Sequence, residues 1–246
     1  MRVLAVGRAG IGLLGVGLIV LGCSDGTGGT TRPAQTTESA PSVGSSAPPA
    51  PALVAASAAK DALLKRSELG EIIGDTDLRR VQSHTKPWQS SDGADPRDCA
   101  PRLVFNEAVA ASGYQLAVGD TNRGARGQIA QQLITVFDNR DQPARVVGDL
   151  SRMFGYCAEG EPFSTTVGDI TQHWTPGPVT SDATGPVSDA TRAGAGAQRQ
   201  EAPPRNCYHA TMARANVVVE SVVCGDGDSV GQANVIIDRI AAKFPE

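Results

Sequence analysis

The chain has 246 residues, a formal charge of −4 and only 4% aromatic residues. Charge is scattered, with no basic run and no aromatic–basic face, which argues against a nucleic-acid partner. The length beyond the N-terminal tracts is enough for one sizeable core, and no internal repeat is evident.

Arg2 and Arg8 precede a charge-free stretch, Ala9 to Gly22. This is the n-region and h-region pattern of a secretory signal, and its run of about fourteen residues falls short of the roughly twenty a bilayer span needs. Val20-Leu21-Gly22-Cys23 resembles a bacterial lipobox. That resemblance implies removal of residues 1–22 and acylation of Cys23. Two or more acyl chains hold a protein on a membrane where a single chain is marginal. The expected location is the cell membrane, lipid-anchored and facing the extracytoplasmic, cell-wall space. The alternatives are an ordinary signal peptide or an N-terminal anchor helix with an incidental cysteine.

Gly26 to Ala52 is rich in Gly, Ser, Thr, Pro and Ala, with only Arg32 and Glu38 charged. Such a tract cannot bury a core and is expected to be disordered. About 30 flexible residues reach roughly 30 Å, enough to lift a domain off a bilayer. The division is therefore a signal peptide over 1–22, a lipidated cysteine and tether over 23–57, and a folded domain over 58–246.

Within the domain, Ala58 to Ile73 reads as helical, broken or continuous, with Ser67 as an N-cap before the second part and Gly74 at its C′ position. Thr76 to Ser83 reads as a strand and Lys86 to Asp98 as a loop broken by Pro87, Gly93 and Pro96. Pro101 to Ala111 reads as a helix, and "YQLAVGD" and "IAQQLITVFD" as strands, the second with a helical alternative for its first half. Val146, Val147, Leu150, Met153 and Phe154 recur at helical spacing between Gln142 and Tyr156. "PFSTTVGDITQHWTP" reads as a hairpin across Gly168-Asp169. Thr175 to Pro204, poor in apolar residues, reads as a long mobile loop. "NCYHATMARANVVVESVVC" is a hairpin around Ala215-Asn216, since Asn tolerates the positive φ of tight turns. Val230, Ala233, Ile237, Ile240, Ala241 and Phe244 form the apolar stripe of a final helix, with Ser229 and Gln232 as a capping box. Helices mix with antiparallel hairpins and show no βαβ rhythm, so the expected fold is α+β: one twisted, mainly antiparallel sheet with packed helices.

Apart from Cys23, four cysteines remain: Cys99, Cys157, Cys207 and Cys224. An even number in an exported chain reads as two disulfides, with three pairings open. A two-residue loop at Ala215-Asn216 places Cys207 opposite Cys224, with Tyr208, Ala210 and Met212 and their partners Val223, Ser221 and Val219 on the other, core-facing side. Cys99 is then left for Cys157. With no CxxC spacing and three dispersed histidines, a zinc site is not expected. His84, His173 and His209 read as structural or surface residues. "CGDGDS", residues 224–229, starts like a calcium loop but lacks its later acid, and reads as a turn and N-cap. Trp88 and Trp174 read as core or cleft-wall residues. No catalytic motif, cofactor or metal ligand set appears.

The order of these elements, above all "NCYHATMARANVVVESVVCG" and the terminal "QANVIIDRIAAKFP", resembles the PknH-like extracellular sensor domain of mycobacteria and related actinobacteria. That family occurs as the external part of a receptor serine/threonine kinase and as stand-alone lipoproteins. Over roughly residues 60–246 the resemblance implies an α/β fold, two disulfides at the four cysteines named, and a cleft for an unidentified ligand. Three functions follow: a non-enzymatic sensor-like domain that binds a small molecule or cell-envelope component, an interaction or scaffold module of the envelope, and a divergent hydrolase. The first is the leading expectation.

Overall fold

The computed structural model describes residues 52–87, 93–104, 107–157, 160–182 and 191–245. Cys23, the signal, most of the tether and Trp88 lie outside the described residues. Two short helices come first, α1 (Ala56–Ala62) and α2 (Arg66–Ile73), followed by strands β1 (Arg79–His84) and β2 (Ala94–Asp95). A 3₁₀ helix (Arg97–Arg102) and α3 (Glu107–Ala111) lead into β3 (Leu116–Arg123) and β4 (Ile129–Val136). Next are α4 (Asp141–Tyr156), the hairpin β5 (Phe163–Val167) and β6 (Ile170–Ser181), then β7 (Arg192–Arg199). The chain closes with β8 (Arg205–Arg214), β9 (Val217–Gly225) and α5 (Ser229–Ala241). The strands form one sheet in the order β1-β3-β4-β9-β8-β7-β6-β5-β2, every neighbour antiparallel.

The hairpin register is the expected one, with Arg214 paired to Val217 and Cys207 to Cys224. The disulfides are Cys207–Cys224 and Cys99–Cys157. The burial of the hairpin differs from expectation. All nine β9 residues are buried, so its cysteine side is as much core as its tyrosine side. Helices cover both faces of the central strands. On one face α1, α2 and α5 pack on Ile134, Tyr208, Ala210, Val219 and Val223. On the other, α4 packs Val147, Leu150 and Phe154 on Ala193, Ala195 and Val218, and both disulfides sit beside Phe163 and Trp174. A strand covered on both faces needs a near-continuous apolar run, which is what Val217–Val219 and Val222–Val223 supply.

The largest correction concerns Thr175 to Pro204. Of its described parts 200–204 are a connection, but β6 runs on to Ser181 and β7 is an interior strand. Two close approaches account for the small residues of β7: Tyr208 from β8 lies across Gly194, and on the other face Ala193 and Ala195 pack with α4. A Cβ on Gly194 would come within 2.6 Å of Tyr208 Cζ. Asp182 then closes the base of the β6–β7 connection, accepting hydrogen bonds from the backbone N–H groups of Thr191 and Arg192 and from the Thr191 hydroxyl.

Smaller corrections share a theme, that the residue next to the expected one does the work. The N-cap of α2 is Lys65, whose backbone N–H donates to Glu68, and Ser67 lies inside the helix. Asp228, not Ser229, caps α5 by accepting from the Gly231 N–H, while the Ser229 hydroxyl donates to the Asn206 carbonyl. Ile236 is buried in the stripe of α5, and Val230 is 47% exposed. The expected helix over Pro101–Ala111 divides into the 3₁₀ helix and α3. At the tight turn the positive φ falls on Ala215, not Asn216. Asn216 is buried and does something else, described below.

Arg102 explains how the α4 face holds together. It is fully buried, and its guanidinium donates to four carbonyls: Gly177, Gly196, Phe154 and Cys157. One side chain therefore ties the 3₁₀ helix to β6, β7 and the end of α4, next to the Cys99–Cys157 bridge.

Candidate functional site

The segment entering the domain is held across the sheet as a strap. Asn216 Oδ1 accepts from the Val54 N–H at 2.6 Å, and its Nδ2 donates to the carbonyls of Val54 at 3.2 Å and Phe137 at 2.7 Å. Ten residues on, Gln132 repeats the device: Oε1 accepts from the Leu64 N–H at 2.9 Å and Nε2 donates to the Leu64 carbonyl at 2.9 Å. Each buried amide thus imitates one backbone rung of a sheet, satisfying groups that burial would otherwise leave unpaired. Between the clamps, α1 buries Ala59 and Ala62. Lys243, after α5, donates from its ammonium to the Ala62 carbonyl. Since Val54 is itself buried, folding begins ahead of Ala58, where composition alone placed the end of the tether.

Between this strap and the edge of the sheet lies a groove of about 1120 Å³. Its lining comes from α1 and the turn after it, β1, and the first half of β3. Leu116 and Val118, half-buried, alternate along β3 and pack with Leu63 against the core below. Lys60, Asp61, Lys65 and Arg80 line it as exposed charged residues. No Phe, Tyr or Trp lines it; His84 does, with its ring buried. The pairing of β1 with β3 shifts between Arg80 and Gln82, and Arg80 Nε stands 3.3 Å from Asp120 Oδ2. Asp120 is buried and also accepts from Asn122 Nδ2 at 2.7 Å and Gln132 Nε2 at 3.0 Å. One carboxylate thereby joins the groove's edge strand to the Gln132 clamp. A second depression, of about 230 Å³ near Arg126 and Asp226, is much smaller.

The residues singled out by sequence fall elsewhere. Trp174 is 6% exposed, stacks on Phe163 and donates from Nε1 to Thr165 Oγ1, which places it in the packing of the core. His209 is fully buried under Phe154, with Nδ1 2.6 Å from the Pro101 carbonyl and Nε2 3.0 Å from Glu220 Oε2. A carbonyl only accepts, so the contact with Pro101 takes Nδ1 as its donor. The His209–Glu220 pair is sealed in the core, both side chains being 0% exposed. His173 is exposed, and hydrogen bonds from its ring and backbone N–H hold the Glu201 carboxyl below the usual carboxylate range. His84 is buried beside Thr121 Oγ1 at 2.8 Å; burial pushes its pKa down, only partly opposed by Asp120. Asp228 of "CGDGDS" acts as the helix cap. Among the described residues, no group of three or more His, Cys, Asp or Glu is placed to hold a metal ion.

The sequence reading missed the groove. Its one local signal is the polar pair Gln131-Gln132 inside a strand that is otherwise apolar. A glutamine in a buried strand needs partners, and the partner of Gln132 is a backbone 68 residues away.

The family model for PknH-like extracellular domains matches residues 54–243, a span that begins at the residue clamped by Asn216. Among solved structures, the crystal structure of the extracellular domain of PknH from Mycobacterium tuberculosis is similar, with a TM-score of 0.68 and 21% identity. The match covers 78% of this chain and 97% of that one, and at this identity it is a likeness of fold. The X-ray structure of an uncharacterised protein from Mycobacterium smegmatis gives a TM-score of 0.35 and 10% identity over 72% of this chain and 96% of that chain. No curated protein matches the chain.

Proposed function

This chain belongs to the family of PknH-like extracellular domains, and from that premise we propose that it is a lipid-tethered, extracytoplasmic sensor domain that binds a small molecule or envelope component. The groove between α1, β1 and β3 is the binding site in this reading. The observation that supports it is the construction of the groove: aliphatic side chains packed on the core, charged residues around them, and a wall held at both ends by buried amides. Concave sites that combine apolar surface with a few placed polar groups are the usual form of small-molecule sites. The acylated Cys23 and the tract after it would keep the domain close to envelope components without embedding it. No catalytic role is assigned to the chain.

Two tests separate the parts of this reading. For the anchor, Cys23→Ser is expected to abolish acylation and maturation; a variant that still partitions into detergent as an acylated, cleaved protein contradicts it. For the site, an organic extract of the native envelope is expected to shift the methyl resonances of Leu63, Leu116 and Val118. Shifts confined to other surfaces would move the site elsewhere. An interaction module is the second reading, favoured by the tip of the β5–β6 hairpin, where Val167 is 79% and Ile170 66% exposed.

A further inference from the structure

Resting on the groove as the binding site, we propose that its ligand is a single anionic amphiphile: an aliphatic chain seated on Leu63, Leu116 and Val118, with a phosphate, sulfate or carboxylate head at Lys60, Lys65 and Arg80.

The tail assignment follows from what lines the groove. Its apolar surface is aliphatic, with no Phe, Tyr or Trp in the lining, and its one imidazole, His84, is buried beside Thr121, so little ring surface is presented to a nucleobase or another planar ligand. Leucine and valine side chains instead make many weak, non-directional contacts, the kind a flexible alkyl chain satisfies. The wall α1 passes over the sheet, so the chain lies within the protein and is not merely pressed against a bilayer.

The head assignment follows from charge. Lys60 and Lys65 make no ion pair with any described carboxylate, and Arg80 meets Asp120 only through Nε, leaving its two terminal nitrogens without a hydrogen bond among the described residues. Against these three cations the lining holds two acids. Asp120 is buried and already accepts from Asn122 and Gln132, so Asp61 is the single exposed carboxylate. The local balance is positive on a chain whose formal charge is −4. A small cationic surface on an acidic protein draws anions to that place. Arginine with two lysines suits oxyanions in particular, through charge-assisted hydrogen bonds.

The experiment uses the mature chain, residues 23–246 carrying Cys23→Ser, exported behind a signal whose cleavage does not depend on that cysteine so that both disulfides form, and purified without detergent. Dodecyl phosphate below its micelle concentration is titrated while the methyl groups of Leu63, Leu116 and Val118 are followed. Saturable shifts at those methyls are expected. Each methylene buried strengthens binding by about fourfold, so octyl phosphate is expected to bind at least about tenfold more weakly. Dodecyltrimethylammonium is expected to be weaker than dodecyl phosphate by about tenfold or more, and inorganic phosphate to leave the methyls in place. The double variant Lys60→Gln/Lys65→Gln, whose side chains form no ion pair among the described residues, is expected to weaken dodecyl phosphate about tenfold with an unchanged melting temperature. The proposal is overturned if dodecyl phosphate leaves these methyls unshifted, if the ammonium amphiphile binds equally well, or if phosphatidylglycerol vesicles bind the protein while monomeric dodecyl phosphate does not. Failure here together with methyl shifts from the envelope extract rejects the ligand class and keeps the groove. Failure of both rejects the groove itself.

Discussion

Replacing Gln132 with Ala tests whether the strap is held by its clamps. Gln132 is fully buried and makes three hydrogen bonds, two to the backbone of Leu64 and one to Asp120. The substitution leaves the N–H and C=O of Leu64 without partners at a residue only 4% exposed. Each orphaned buried group costs about 1–3 kcal/mol, so a strap that stays in place would lose about 2–6 kcal/mol. The chain has a cheaper route, which is to lift the strap and let water satisfy both groups. That forfeits the burial of Val54, Ala59, Ala62 and Leu64, of which the leucine alone is worth about 1.5–3 kcal/mol, but regains backbone entropy of about 1–2 kcal/mol per freed residue. The expected loss is therefore about 2–4 kcal/mol by urea unfolding, with hydrogen exchange of the α1 amides accelerated most and that of the β8–β9 core accelerated only in proportion to the loss of global stability. Asn216→Ala is expected to act similarly from the other end. If the strap leaves as a unit, the double variant will cost at least about 1 kcal/mol less than the sum of the singles. A loss below about 0.5 kcal/mol with unaltered α1 exchange would refute the reasoning, because it would mean that neither the clamp nor the strap contributes to the fold.

Two further outcomes follow from single positions. Gly194→Ala drives a methyl into Tyr208, whose hydroxyl is held at 2.6 Å from Thr180 Oγ1, and is expected to cost about 1–3 kcal/mol; Gly196→Ala, with nothing nearer than 3.7 Å, is the control and should cost much less by the same urea measurement. His84 has a folded-state pKa below its ordinary value of about 6.5, so the unfolded chain binds its proton more readily. Its contribution is whole above about pH 6.5 and is lost as pH falls below it. Between pH 7.5 and 5.5 the wild type should therefore lose more stability than His84→Gln, and equal losses would contradict the assignment.

Much of the fold was legible because it depends on neighbours along the chain. The tight turn at Ala215-Asn216 sets a register by counting alone, and that register brings Cys207 to Cys224. The periodic apolar spacing of α4 likewise needs no tertiary partner to be read. What escaped depends on contacts between distant segments. Residues 192–199 look like a loop because Gly and Ala are poor strand formers, yet they form an interior strand, with Gly194 beneath Tyr208 and Ala193 and Ala195 packed with α4 on the other face. Asn216 invites a turn role, but its amide is used on Val54, 162 residues away. The groove was invisible for the same reason: its walls come from α1, β1 and β3, and the lysines at its edge look in sequence like any solvated charge. Trp174 drew attention as a rare aromatic, whereas its position beside Phe163 and the disulfides makes it part of the core.

The most direct measurement of the central claim is mass spectrometry of small molecules retained by the protein when it is purified from its native envelope. The wild type is compared with Val118→Trp, which fills the groove from its floor, after hydrogen exchange has shown that the β8–β9 core of the variant is intact. The account predicts a defined small molecule that accompanies the wild type and is lost from the variant. The same molecule retained by both proteins would contradict the claim that this groove is the binding site.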